Sequence, residues 1–195
     1  MKKFRFTLLF SLLLFLTNHC KQKEEKKDEE RFFPVLPIIK SQVAQVDTSL
    51  YSIRKITYVD STRSDTVFYP REQFRELAMD FLTLPDISDS KYKNRFKEER
   101  QFDETLDRAI FRYLPVHPEN EEIQRQQLLI RPGPPKDKIT SIIIDYLISN
   151  KDSAVQKNML WQIDKSFQVT TIRQLPGQKE TTSTYKVVWN EENDE

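Results

Sequence analysis

The stretch ITSIIIDYLIS, Ile139 to Ser149, decides how this chain folds. Its apolar side chains recur at every second residue and so share one side of an extended backbone: Ile142, Ile144, Tyr146 and Ile148. A period of two is typical of a β-strand with one buried face, whereas an amphipathic helix repeats at about 3.6 residues. The stretch therefore predicts a strand over Ile139–Ser149.

Segments on both sides of this stretch show the same period, with turn residues between them. The predicted strands are Ile110–Val116, Glu122–Ile130, Ile139–Ser149, Lys157–Asp164, Phe167–Arg173 and Thr181–Trp189. Their connections are short and rich in turn formers, as in Arg131-Pro132-Gly133-Pro134-Pro135 and Pro176-Gly177-Gln178. Short strands joined by tight connections indicate an antiparallel meander.

Apolar stripes on four of these strands are expected to stack into one core face. They comprise Ile142, Ile144, Tyr146 and Ile148, then Met159, Trp161 and Ile163, then Phe167, Val169 and Thr171, then Tyr185, Val187 and Trp189. A helix over Arg71–Thr83 is expected to cover this face, because its apolar residues follow the helical period: Phe74, Leu77, Ala78, Phe81 and Leu82.

Upstream segments supply further elements. A short helix is predicted over Pro37–Val46, and a strand over Tyr51–Val59 pairs with Thr66–Tyr69 as a hairpin. The charged segment Ser90–Arg112 is predicted to be a solvated helix or a loop followed by a helix. The expected fold is a single α+β domain over 32–195, in which an antiparallel β-meander of about six to eight strands packs against one or two helices.

The N-terminus has the layout of an export signal. A basic start, Met1-Lys2-Lys3-Phe4-Arg5, precedes an apolar run over Phe6–Leu16. A membrane-spanning helix needs roughly 17–25 apolar residues, so this run is too short and fits a secretory signal. No small-residue cleavage site follows the run. Instead Leu16-Thr17-Asn18-His19 leads directly to Cys20, the only cysteine in the chain.

This arrangement resembles the lipobox of bacterial lipoproteins, although His19 stands where that family usually has a small residue. The resemblance implies a signal peptide over 1–19, a Cys20 thiol that receives a diacylglycerol, and cleavage just before that cysteine. The alternatives are an ordinary signal peptide with a coincidental cysteine, or an uncleaved anchor. A lone cysteine has no disulfide partner within the chain, which agrees with lipidation.

A charged segment follows Cys20 and predicts a flexible tether over 20–31. Lys21–Arg31 contains no apolar residue, so it cannot bury enough surface to fold. Within it, Gln22-Lys23-Glu24-Glu25-Lys26 is similar to a short signal that sends lipoproteins to the cell surface in one group of Gram-negative bacteria. The resemblance implies attachment to the outer membrane, with the domain facing the periplasm or exposed at the cell surface.

Composition and charge argue against nucleic-acid binding. Lys plus Arg number 31 against 30 Asp plus Glu, and removing Lys2, Lys3 and Arg5 with the leader leaves 28 against 30. Nucleic-acid binding requires a clustered basic surface, whereas both signs are interspersed here. We therefore expect a membrane contact through the lipid, and an envelope protein as partner, but no nucleic acid.

Residues that could carry chemistry are sparse. The two glycines, Gly133 and Gly177, lie in prolyl turns, so they build no phosphate-binding loop. His117 is the only histidine after Cys20, and it falls in a predicted turn. Two Ser-x-x-Lys pairs, at Ser52 and Ser88, lack the Ser-Asp-Asn and Lys-Thr-Gly elements that accompany catalytic examples.

Carboxylates remain as candidates. Asp145 interrupts the apolar stretch, and burial would raise its pKa as a general acid or base requires, but it is expected to point outward with Ile143 and Leu147. A second acidic set suggests a cation site without EF-hand spacing: Asp86, Asp89, Glu119, Glu121 and Glu122. We assign no catalytic, cofactor-binding or metal-binding residue from the sequence, and Cys20 is the one site residue.

The sequence thus favours a non-catalytic, lipid-anchored envelope protein with a binding or structural role. Two alternatives stay open. A curved sheet could enclose an apolar cavity and carry a lipid or another small ligand. A hydrolase acting on glycans would need only two carboxyl groups about 5–10 Å apart.

Overall fold

Nine strands form one antiparallel sheet in the computed structural model, which describes residues 32–190. The strands are β1 (Ile53–Tyr58), β2 (Ser64–Tyr69), β3 (Phe96–Asp103), β4 (Arg108–Pro115), β5 (Ile123–Arg131), β6 (Lys138–Ser149), β7 (Ala154–Gln162), β8 (Ser166–Gln174) and β9 (Thr181–Val188). Their order across the sheet is β2-β1-β9-β8-β7-β6-β5-β4-β3. The predicted signal peptide, Cys20 and the tether lie outside the described residues.

Helical segments are few and short in this part of the chain. Helix α1 spans Val35–Asp47, and a 3₁₀ turn (Arg71–Gln73) leads into α2 (Phe74–Leu77) and α3 (Met79–Leu82). Two further 3₁₀ turns lie at Ser90–Tyr92 and Pro118–Asn120. The structure thus starts α1 two residues before the predicted Pro37.

The predicted α+β class is wrong, because the described residues form a mainly-β fold. The sheet has nine strands rather than six to eight, and α1 is the only helix of residues 32–190 longer than four residues. The predicted Arg71–Thr83 helix breaks at Ala78, whose ψ of 3° lies outside the helical region. The segment therefore forms two helices of four residues each, which pack on the sheet but are too short to form a layer of helices.

The charged segment Ser90–Arg112 was also predicted wrongly, since it contains β3 and the start of β4. Its charges pair across and along strands: Arg112 contacts Glu99 on the neighbouring strand at 3.6 Å, and Arg100 contacts Glu98 on its own. Strand β3 is at the edge of the sheet, where charged side chains are well tolerated because they reach water. Such a strand lacks the apolar alternation by which buried strands are recognised.

Strands β3 to β9 form an uninterrupted meander, and the N-terminal hairpin completes the sheet. β1 pairs antiparallel with β9, from Arg54 opposite Val188 to Tyr58 opposite Thr184. The chain must then pass from β2 at one edge to β3 at the other. The connection carries α2 and α3 across the sheet, on the face that we call the inner face, where Ile142 and Ile144 are buried.

The predicted core face is confirmed at most positions. Ile142, Ile144, Met159, Trp161, Phe167, Val169, Val187 and Trp189 are all at most 4% exposed. Burial decreases towards the C-terminal end of β6, where Ile148 is 42% exposed. Helix α1 joins the same core through residues spaced about one turn apart: Val35, Ile39, Val43 and Val46.

Candidate functional site

Aromatic rings fill the space between the inner face and helices α2 and α3. We call this set the aromatic cluster: Phe74, Phe81, Trp161, Phe167 and Trp189. Trp161 stacks on Phe167 with centroids 5.1 Å apart, and Phe81 meets Trp161 edge-on at 5.0 Å. The protein's own side chains therefore occupy the space in which a carrier would hold its ligand.

A polar cluster fastens α3 to the sheet beside these rings. Asp80 on α3 accepts a hydrogen bond from Lys157 Nζ at 2.7 Å and another from the Tyr185 hydroxyl at 3.1 Å. Lys55 Nζ lies 4.5 Å from the centre of the Tyr185 ring. Burial raises the pKa of the Tyr185 phenol well above its ordinary value, and the Asp80 carboxylate raises it further.

Sequence reasoning missed this cluster, although one signal was present. Lys157 falls in the same alternation as Met159 and Trp161, so its side chain had to point to the inner face. A lysine on a buried face needs an acidic partner, because an unpaired charge there is costly. Asp80 supplies that partner from a segment far away in the chain.

We predict that Asp80→Ala lowers the free energy of unfolding by about 1–3 kcal/mol, because it leaves two half-buried donors without their acceptor. The same change should lower the pKa of Tyr185, since the neighbouring negative charge is removed. Urea unfolding and an alkaline absorbance titration of tyrosine measure the two effects.

The matched control is Asp89→Ala. Asp89 is 59% exposed and 3.9 Å from Lys91, so its loss should change stability by no more than about 0.5 kcal/mol. Equal losses in the two variants would contradict a specific role for Asp80.

A second ion-paired carboxylate, that of Glu121, lines a cleft of about 210 Å³ between the β4–β5 connection and the segment before β3. Glu121 is 7% exposed and accepts two hydrogen bonds from Arg95, at 2.6 and 2.9 Å. Arg95 in turn lies 4.8 Å from the centre of the Tyr92 ring. This pair ties two connections together and leaves the Glu121 carboxylate fully engaged.

The predicted cation set is only partly brought together. Glu121 and Glu122 both line this cleft, but Glu122 accepts a hydrogen bond from the Tyr146 hydroxyl. Asp86 accepts hydrogen bonds from the backbone and the hydroxyl of Ser88. Within residues 32–190, no group of three or more Asp, Glu, His or Cys side chains is arranged to hold a metal ion.

Asp145 lies on the outer face, opposite the buried Ile142 and Ile144, as its position in the alternation suggested. Its Oδ2 is 2.8 Å from Arg125 Nε on the adjacent strand β5. The carboxylate is therefore paired on a partly exposed surface. It is not held alone in an apolar pocket.

The remaining candidate residues lie apart from one another. His117 is exposed, with its Nδ1 3.5 Å from Glu119. Ser52 is exposed and precedes β1, while the Ser88 hydroxyl is bonded to Asp86. Among the described residues, neither serine is hydrogen-bonded to a histidine or to a lysine.

Exposed apolar side chains concentrate on the hairpin of β1 and β2. We call this set the edge patch, and its members are 38–98% exposed: Leu50, Tyr51, Tyr58, Val59, Val67 and Phe68. Phe68 and Val67 are successive residues of β2, so their side chains point to opposite faces of the strand. An apolar surface on both faces of one strand is unusual for a side that meets only water.

The backbone of β2 is also open, because β2 ends the sheet and pairs only with β1. Val59 N donates to Arg63 O at 2.9 Å at the start of the ladder. In an antiparallel pair, every second residue of a strand bonds to its neighbour, so Arg63 is followed by Asp65 and Val67 as the residues of β2 that face β1. The N–H and C=O groups of Ser64, Thr66 and Phe68 therefore point away from β1. These groups are available to another extended chain.

Helices of the described residues are all too short or too polar to cross a membrane. Comparison with protein-family models, with curated proteins and with solved structures finds no match to this chain.

Proposed function

We propose that this protein is a non-catalytic lipoprotein of the Gram-negative outer membrane, anchored through Cys20, whose β domain binds an envelope protein by strand addition. The observation that carries the binding role is the open β2 edge, flanked by the exposed apolar side chains of the edge patch. In strand addition, main-chain hydrogen bonds supply affinity and alternate side chains supply specificity.

The chemistry of the edge defines the partner. It is an extended segment with apolar side chains on both of its faces, because Val67 and Phe68 present apolar surface on both faces of β2. The opposite edge of the sheet, β3, is less suited to this role. Its charged residues, which include Lys97 and Glu99, are of the kind that discourages pairing with another chain.

Other roles receive less support from the described residues. The aromatic cluster occupies the interior that a lipid carrier would leave open. The carboxylates that a glycan hydrolase would use are engaged elsewhere: Asp80 with Lys157, Glu121 with Arg95, and Asp145 with Arg125. Each of these carboxylates already contacts a cationic side chain of the protein, so none is placed to contact a substrate alone.

A proline substitution tests strand addition without removing any apolar side chain. The Thr66 N–H points away from β1, so Thr66→Pro should leave the fold intact, as proline is tolerated on the open side of an edge strand. A photoreactive phenylalanine analogue in place of Phe68 then reports partner binding on intact cells. We expect Thr66→Pro to reduce the cross-linked product by roughly tenfold or more.

Two controls give the experiment its specificity. The same analogue in place of Phe102, an exposed phenylalanine of the opposite edge strand β3, should give little product. Mass spectrometry should place the cross-link in an extended segment of one protein. Strand addition at β2 would be ruled out if the yield of the cross-link from position 68 were unchanged by Thr66→Pro. It would also be ruled out if the analogue gave equal yields at positions 68 and 102.

A further inference from the structure

A basic groove of about 380 Å³ lies at one end of the sheet, between the β3–β4 turn, the β7–β8 turn and the start of β6. Four cationic side chains line it, Arg108, Arg131, Lys138 and Lys165, against the single carboxylate of Asp164. Its apolar lining comes from Leu106, Leu129, Ile139 and Ile163. The groove is separate from the edge patch and from the polar clusters described above.

Two of its cations face each other without an acid between them. Arg131 on β5 is the register partner of Lys138 on β6. Like charges directly opposite on neighbouring strands destabilise a sheet. The ion pairs formed within residues 32–190 include neither side chain. An anion placed between them would remove this repulsion.

Two further charged residues of the groove, Arg108 and Asp164, are held in place by local contacts. Arg108 Nη1 donates to the carbonyl oxygens of Leu106 and Asp107, at 3.1 and 2.7 Å. Asp164 Oδ1 accepts a hydrogen bond from Gln42 Nε2 at 2.9 Å, and the Asp164 N–H donates to Gln42 Oε1 at 2.7 Å. Helix α1 thus holds the one acidic group of the groove, away from the facing pair Arg131 and Lys138.

We propose that this groove binds a phosphate-bearing anion. Arginine and lysine are the side chains that recognise phosphate, the first by paired N–H groups and the second as a point charge. The apolar lining suits the carbon part of an ester, and the volume lies in the range of small-molecule sites. Free phosphate and a phospholipid headgroup offer the same chemistry, and experiment separates these two sources.

Thermal unfolding of the full-length protein in a nonionic detergent tests the proposal, with the intrinsic fluorescence of the buried Trp161 and Trp189 as the signal. Inorganic phosphate and a short-chain phosphatidylglycerol are the two probes. A ligand that binds only the folded state raises the unfolding temperature in a concentration-dependent way. In Arg131→Gln/Lys138→Gln we expect the apparent dissociation constant to rise at least roughly tenfold.

The matched control neutralises two exposed lysines outside the groove, Lys93→Gln/Lys151→Gln, and should keep the full response. A second variant, Lys138→Glu, places an acid opposite Arg131, so it should fold at least as stably as the unmodified protein and yet lose the response. A response to phosphatidylglycerol alone identifies a headgroup, and a response to both probes identifies phosphate itself. No response, or equal responses in all variants, overturns the proposal.

Discussion

Replacing Trp161 with alanine is expected to lower the free energy of unfolding by about 3–5 kcal/mol, the loss typical of a large aromatic side chain removed from a core. Trp161 is fully buried and contacts four other rings of the aromatic cluster, with centroids 5.0 to 6.5 Å away. Domains of this size are stable by only about 5–15 kcal/mol. The variant should therefore be largely unfolded in moderate urea.

Two further variants separate packing from other effects. Trp161 Nε1 is buried without a hydrogen-bond partner in the described part of the chain, so Trp161→Phe loses volume but also removes an unsatisfied donor. It should cost clearly less than the alanine variant. Phe68→Ala truncates a ring that is 68% exposed and should change stability by no more than about 0.5 kcal/mol. A loss after Phe68→Ala as large as that after Trp161→Ala would contradict the assignment of the core.

The second large effect concerns location. Cys20→Ala is expected to abolish acylation and to remove the protein from the outer-membrane fraction. The physical reason is that each buried CH₂ contributes about 0.8 kcal/mol, so several acyl chains together hold a protein that would otherwise leave the membrane. Labelled palmitate incorporation and membrane fractionation measure the two parts of this prediction.

His19→Ala is the matched control for this experiment. It changes the neighbouring residue to the small type usual in a lipobox and keeps the cysteine, so acylation and outer-membrane location should persist. If the Cys20→Ala protein stays in the outer-membrane fraction, the lipobox interpretation is wrong. Protease digestion of intact cells then tells whether the domain faces the outside or the periplasm.

Much of the sheet could be predicted from local pattern. The alternation around Ile144, Met159 and Val169 indicated three adjacent strands, and the structure pairs these residues directly across β6, β7 and β8. The turn at Pro176-Gly177 could also be predicted from the sequence. Gly177 has a φ of 69° and Gln178 N donates to Leu175 O at 3.2 Å, a conformation that glycine adopts without strain.

The errors came where local pattern and tertiary context disagree. The strand around Lys97 to Arg100 was missed because its residues are charged and show no apolar alternation. An edge strand can carry such residues, since its side chains reach water more easily than those of a central strand. In the Arg71–Thr83 segment the helical period was real, and Phe74, Ala78 and Phe81 are buried as it implied. The spacing of the apolar residues did not predict that the helix is interrupted at Ala78.

The candidate sites were less predictable than the fold. Asp145 could be placed on the outer face from its position in the alternation, but its partner Arg125 depends on the register between β5 and β6. The contact between Asp80 and Lys157 joins residues 77 positions apart. The basic groove likewise gathers residues from three connections, none of which is basic enough alone to suggest an anion site.

The amino-acid sequence by itself determined which segments are extended and which side of each strand is apolar, because those properties depend on neighbours one to four residues away. Only the tertiary structure decided that the β1–β2 hairpin joins β9, and hence that β2 is an open edge. Strand pairing between distant segments satisfies backbone groups that neighbouring residues cannot reach, so local pattern does not predict it. The exposed edge patch follows from that choice of partner, whereas the facing pair Arg131 and Lys138 follows from the register between β5 and β6.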